Sequence, residues 1–180
     1  MRSYTTLTEK PFSLRAPQPL YRYLNYIEIQ RTGFEIMQTF LPTKNFKKSA
    51  KMLDYRRLGK QRVEGMQLIN SLSPDYSMKG WLNHPARLMW RGYENALKYY
   101  TNTMIKEWIA RGYNNTMQLY EIEQPIVFPQ WLGYPELHKS HRMNLLRKDY
   151  DFYKQHFDAD AQTDLATINE YEYYWPQEKK

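Results

Sequence analysis

Between Asn45 and Leu72, Met52, Tyr55, Gly59, Val63, Met66 and Ile69 recur at intervals of three and four. That spacing predicts a helix with one face turned to a core. Asn45, immediately ahead of it, predicts an N-cap, and Asp54 or Gly59 a break. A loop with Ser73-Pro74-Asp75 follows over 71–80. From His84 to Arg111 the stripe Trp90, Tyr93, Leu97, Tyr100, Met104 and Trp108 predicts the longest helix, with Gly112 as its C′ residue. Pro125, Pro129, Gly133 and Pro135 make residues 113–135 an irregular or briefly extended crossing. A last helix is expected over Glu136–Phe157, bent near Lys148. The expected fold is mainly α, a compact bundle of three main helices with long irregular connections.

The ends differ from this middle. Residues 1–20 contain Pro11, Pro17 and Pro19 without helical period, and Tyr21–Ile29 alternates weakly, as a short strand or an adhering arm does. Met37-Gln-Thr-Phe-Leu-Pro reads like the beginning of a protein. The domain reading is therefore an extension over 1–36, a helical domain over 37–157 and a tail over 158–180, acidic and then aromatic. The extension is either upstream of a true start at Met37 or an ordinary N-terminal arm. Met1–Leu20 is too polar for a signal peptide or a membrane span. A cytoplasmic, monomeric protein is expected, nucleoid-associated if it binds DNA.

Charge adds the first functional lead. The formal net charge of +7 is the usual footprint of a polyanion binder, because each phosphate contact releases counterions. The 17 tyrosines and 5 tryptophans suit base stacking and a Tyr-rich core equally. The absence of cysteine excludes disulfides, thiolate zinc sites and iron–sulfur clusters. Neither a Walker-type glycine loop nor a dinucleotide, serine-hydrolase or zincin motif is present. Any chemistry then falls to side chains or a terminal amine, with no cofactor and no metal expected.

Three constellations are candidates. Between Lys44 and Arg62 eight cations, among them Lys47, Lys48, Lys51, Arg56, Arg57, Lys60 and Arg62, stand against one acid, Asp54. There Arg57, Gln61 and Glu64 share a face with Lys60 beside them, an arrangement able to hold phosphates and to place an acid near a sugar. In the second, His84, Arg87, Arg91 and Glu94 follow at spacings of three, four and three, lining one face of a continuous helix. The third is His138, His141, Arg142, Asn144, Arg147 and Lys148. Its two histidines could ligate a metal, but no third ligand is signalled, so hydrogen bonds to phosphates or to an extruded base are the better reading.

Read from Met37, the chain resembles the pyrimidine-dimer DNA glycosylases of the phage endonuclease V type. The resemblance covers most of residues 37–157. Lys51-Met-Leu-Asp-Tyr-Arg-Arg-Leu58 is similar to the family's first-helix motif ending in Tyr-Arg-Glu-Leu, and Ile109-Ala-Arg-Gly-Tyr-Asn114 to its Lys-Arg-Gly-Phe-Asn. Arg142–Phe157, with Tyr153, is similar to its last helix. Arg56–Glu64, His84–Glu94 and Ser140–Lys148 resemble a bacterial and phage branch grouped with it.

The resemblance implies an endonuclease V-like fold that binds and bends double-stranded DNA, extrudes a nucleotide and cuts the glycosidic bond. It also implies a nucleophile, the α-amine of the mature N-terminus, which forms an imine with the sugar while a glutamate assists. Two positions depart from the pattern. Arg57 stands where the family has that glutamate, so the carboxylate falls to Glu64, about two turns on, or to Glu94. Gln38 stands where the family has its amine-bearing threonine, and glutamine is too large for ordinary removal of Met37, which leaves the amine on Met37, with Gln38 as the alternative, if the chain starts there.

The expected function is a base-excision glycosylase for a damaged or modified pyrimidine, with an AP-lyase step if the amine is free. The alternatives are a non-catalytic DNA-binding protein that kept the fold, and an enzyme acting on nucleotides or another anionic small molecule.

Overall fold

Asn45 opens the first helix, α1 (Phe46–Met52), by accepting the Lys48 N–H on its side-chain oxygen at 2.9 Å, as an N-cap does. The computed structural model describes residues 37–76 and 82–176, and among them it contains eight helices and no strand. The extension over 1–36, with its strand or arm, lies outside the described residues. α2 (Tyr55–Leu72) follows α1 after Leu53. The break expected near Asp54 is a capping event: the one acid of the basic stretch accepts the N–H groups of Arg56 at 2.9 Å and Arg57 at 3.1 Å. Tyr153 fixes this cap by donating to Asp54 Oδ2 at 2.5 Å.

The single helix expected from His84 to Arg111 is instead two, α3 (Pro85–Trp90) and α4 (Glu94–Ala110). Gly92 lies between them with φ 83°, a left-handed conformation that cannot propagate a right-handed helix. Glu94 covers the break by accepting the Gly92 N–H at 2.9 Å. As expected, Gly112 follows the end of α4, with the Tyr113 N–H returning to the Trp108 carbonyl at 3.3 Å. Residues 113–134 cross without regular structure. Asn95 and Asn102 of α4 pin that crossing, each donating to a carbonyl and accepting an N–H, at Glu123 and Tyr120 respectively.

α5 (Pro135–Lys148) ends at Asp149, which caps α6 (Tyr150–Tyr153), so the bend expected near Lys148 is present. Two short helices, α7 (Asp158–Ala161) and α8 (Leu165–Glu170), complete the chain. Both pack on α5, with Ile168 and Tyr173 buried. Arg147 and Asn144 of α5 donate to the carbonyls of Asn169 and Tyr171, which holds this tail down.

α2 and α4 are the principal pair. Their close approach depends on Gly65, where a Cβ would stand 2.3 Å from Thr101 Oγ1. The stripe predicted for the single His84–Arg111 helix is largely buried: Trp90 of α3 and Leu97, Tyr100 and Met104 of α4 are fully enclosed. Phe46 and Trp131 meet Trp90 edge-on.

The face predicted for α2 is only partly the buried one, with Ile69 packed against the core. Tyr55 and Val63 are exposed, while Leu58, Gln61, Glu64, Gly65, Leu68 and Ser71 turn inward. A glutamine and a glutamate form part of the buried side, so the apolar period misplaces it.

Candidate functional site

Residues 38–42 run without regular structure between the helices, and side chains rather than a neighbouring strand take up their backbone groups. From α2, Gln61 donates to the Gln38 carbonyl at 2.7 Å and accepts the Phe40 N–H at 2.8 Å. Tyr100 of α4 places its hydroxyl 2.6 Å from Gln61 Oε1 and 3.1 Å from the Phe40 carbonyl. Trp90 of α3 donates to Thr39 Oγ1 at 3.0 Å. α5 takes the rest: His141 Nδ1 accepts the Leu41 N–H at 2.7 Å, His138 Nδ1 meets the Leu41 carbonyl at 2.7 Å, and Arg142 donates to the Pro42 carbonyl at 3.1 Å. An irregular backbone can be buried only when its polar groups are paired in this way.

Glu64 lies at the head of this segment. It is 5% exposed, and its carboxylate accepts from the Gln61 amide and from the Gln38 backbone. Lys60 Nζ is 3.7 Å away, and Lys148 adds a second positive charge. Burial pushes the carboxyl up to about 7, against the pull of Lys60 and the hydrogen bonds from Gln38 and Gln61. A carboxyl in that range is partly protonated at neutral pH and can both give and take a proton. Lys148 is held below the usual lysine range by burial and by the neighbouring Arg57, Lys60 and Arg147. Arg57 donates to the Lys148 carbonyl at 3.0 Å and lies 3.4 Å from Asp54, which ties α2 to the end of α5.

The predicted residues thus separate. Arg57, Lys60, Gln61, Glu64, Lys148 and the Met37–Gln38 backbone come together. Lys47, Lys48, Lys51 and Arg56 are exposed along α1 and the start of α2. Arg62 faces inward, with its guanidinium 3.9 Å over the Trp108 ring and a 2.9 Å bond to Asn115. The His84–Glu94 face does not form, because Gly92 breaks the helix beneath it. His84 caps α3, where burial pushes it down to about 4. Arg87 donates to the Ser71 and Leu82 carbonyls, and Arg91 is exposed. His138, His141, Arg142, Asn144 and Arg147 are engaged in the internal bonds described above.

Sequence reasoning read Tyr100 only as core. Its hydroxyl was the missed signal, since a buried tyrosine hydroxyl requires a partner.

A family match is consistent with this arrangement. The pyrimidine dimer DNA glycosylase family matches residues 37–121, a stretch that holds Met37, Gln38, Gln61, Glu64 and Tyr100. No curated protein and no solved structure matches the chain. The pyrimidine dimer glycosylase match covers α1 to α4, whereas α5, which supplies Lys148 and both histidines of the site, lies beyond it. Among the described residues no helix is long and apolar enough to cross a membrane.

Proposed function

We propose that this protein is a DNA glycosylase that binds duplex DNA, extrudes a damaged or modified pyrimidine and cleaves its glycosidic bond with Glu64 as the working acid. The observation that carries this reading is the buried Glu64 carboxyl, held against the Gln38 backbone and poised near neutrality among Lys60, Lys148 and Arg57. Glu64 takes the role that the resemblance gives to the glutamate replaced by Arg57. The exposed Lys47, Lys48, Lys51, Arg56 and Lys60 supply phosphate contacts.

Two routes share this carboxyl. In a chain that begins at Met37, the α-amine lies one residue from the Gln38 amide that bonds Glu64. A neutral amine of that kind, with a pKa near ~8, attacks the sugar C1′. The new C–N bond forms, and the base leaves with the glycosidic electron pair. Glu64 passes the amine proton to the ring oxygen, opening the sugar to an imine. In a longer chain, residue 37 carries an amide that cannot attack. Ionised Glu64 then faces the cation developing on the sugar and activates a water.

Borohydride trapping on duplex DNA carrying a thymine dimer or an abasic site, with chains 1–180 and 37–180 compared, separates the two. An adduct from the shorter chain alone selects the amine route. Base release without an adduct selects the water route. Glu64→Gln is expected to stop base release in either case, and release unaffected by that change would sink the assignment.

A second reading, a DNA-binding protein that kept the fold without the chemistry, is favoured by Arg57 in place of the family's acid. It predicts DNA binding with neither adduct nor released base.

A further inference from the structure

Three of the four described side chains that carry a buried, unpartnered nitrogen touch or belong to the 38–42 segment: Gln38 Nε2, His138 Nε2 and His141 Nε2. Unpaired buried polar atoms are rare in folded proteins and call for an explanation. In the histidines each Nδ1 is committed to the two sides of one residue, Leu41. To accept the Leu41 N–H, His141 Nδ1 must be bare, so its proton sits on Nε2. To meet the Leu41 carbonyl, His138 must carry its proton on Nδ1. The pair is thus fixed in opposite tautomers, one turn apart on α5.

Leu41 has no helical or strand partner to replace them. Phe40 and Tyr173 close on the His141 ring edge-on at 6.3 and 5.7 Å, which fixes its plane.

We propose that His138 and His141 are positioning residues, a two-sided clamp on Leu41 that sets where the Gln38 backbone meets the Glu64 carboxyl. The inference rests on the reading of Glu64 as the working acid. Only Thr39 and Phe40 separate Leu41 from Gln38, and the segment is buried and hydrogen-bonded along its length, so displacement at Leu41 is transmitted along it. The charged and titratable groups that face Glu64 are Lys60, Lys148 and Tyr100, with Arg57 beside Lys148. Those that face the histidine pair are Arg142 and Lys44. None of these is altered by exchanging a histidine.

The test compares full-length His141→Leu, which keeps bulk without the acceptor, with His141→Asn, whose side-chain oxygen reaches the former Nδ1 position. Glu64 titration is followed by carbon-13 NMR of its carboxyl in the free protein, and single-turnover base release and DNA affinity are measured beside it. In the leucine variant Glu64 should titrate about half a pH unit higher, having lost the Gln38 bond. Base release should slow about tenfold with DNA affinity unchanged. Asparagine should restore both. If leucine prevents folding, His141→Gln, whose amide lies at the Nε2 end, takes its place with the same expectations.

An unmoved Glu64 titration in a folded variant overturns the clamp. A moved titration in a protein that releases no base supports the clamp and rejects the glycosylase reading instead.

Discussion

Gln61 holds Gln38: its side-chain amide donates to the Gln38 carbonyl at 2.7 Å while the same nitrogen reaches the Glu64 carboxylate. Its oxygen meanwhile accepts the Phe40 N–H at 2.8 Å. Gln61→Leu fills the same space without these bonds and leaves an N–H and a carbonyl buried and unpaired. A loss of about 2–6 kcal/mol is expected, at ~1–3 for each of the two orphaned groups. Urea denaturation measures it, and a loss below about 0.5 kcal/mol would show that the segment does not depend on this residue.

Stability should carry a pH signature of Glu64. Its folded value of about 7 lies above its unfolded value of 4.5, so the folded state binds the extra proton. Stability from this group is therefore greatest below pH 4.5, declines as pH rises towards 7, and is level above that. The full span is about 3 kcal/mol. His84 and His141 are pushed down to about 4 and about 3 and act in the opposite direction, losing stability as pH falls below 6.5. The Glu64 contribution is isolated as wild type minus Glu64→Gln across pH 4 to 8 in thermal unfolding, a range that brackets the values above. A flat difference curve would show that the carboxyl is not desolvated.

The cations should divide by salt dependence. Reversing the exposed Lys47, Lys48 and Lys51 to Glu should weaken DNA binding and reduce the log–log salt slope by about 3, at ~0.9 per phosphate contact. Arg62→Ala should leave that slope intact and instead lower stability, because its guanidinium rests on Trp108. A slope change at Arg62 equal to that of one lysine would place it on the DNA face.

Gly65→Ala should cost about 1–3 kcal/mol through overpacking, since the added methyl meets Thr101 on the facing helix. The pair Gly65→Ala with Thr101→Ala, which removes the Oγ1 that the new methyl meets, should recover part of the loss. Equal stability of wild type and Gly65→Ala would mean that α2 and α4 can separate freely.

How much was legible in the sequence follows from what each element buries. On α3 and α4 the buried stripe is aromatic and aliphatic, and the three-and-four spacing found Trp90, Leu97, Tyr100 and Met104 directly. On α2 the same method chose Tyr55 and Val63, because the inward side includes Gln61 and Glu64, which no hydrophobic pattern selects. The charge pattern recovered what hydropathy lost, for the Arg57, Gln61 and Glu64 face with Lys60 is the one that meets residues 37–42. Gly92 was visible in the chain, but a lone glycine within a periodic stretch does not announce its φ. The histidines of α5 could not be assigned to Leu41, since the contact joins residues 97 and 100 positions apart.

Those separations bear on the order of assembly. The partners of residues 38–42 come from positions 21 to 100 residues further along the chain, on four different helices. The groove that receives the segment does not exist until α2, α3, α4 and α5 have met, and closing so long a loop is slow relative to forming a helix. Residues 38–42 should therefore thread last, so that a late folding phase completes the site and a bundle can be helical well before it is competent.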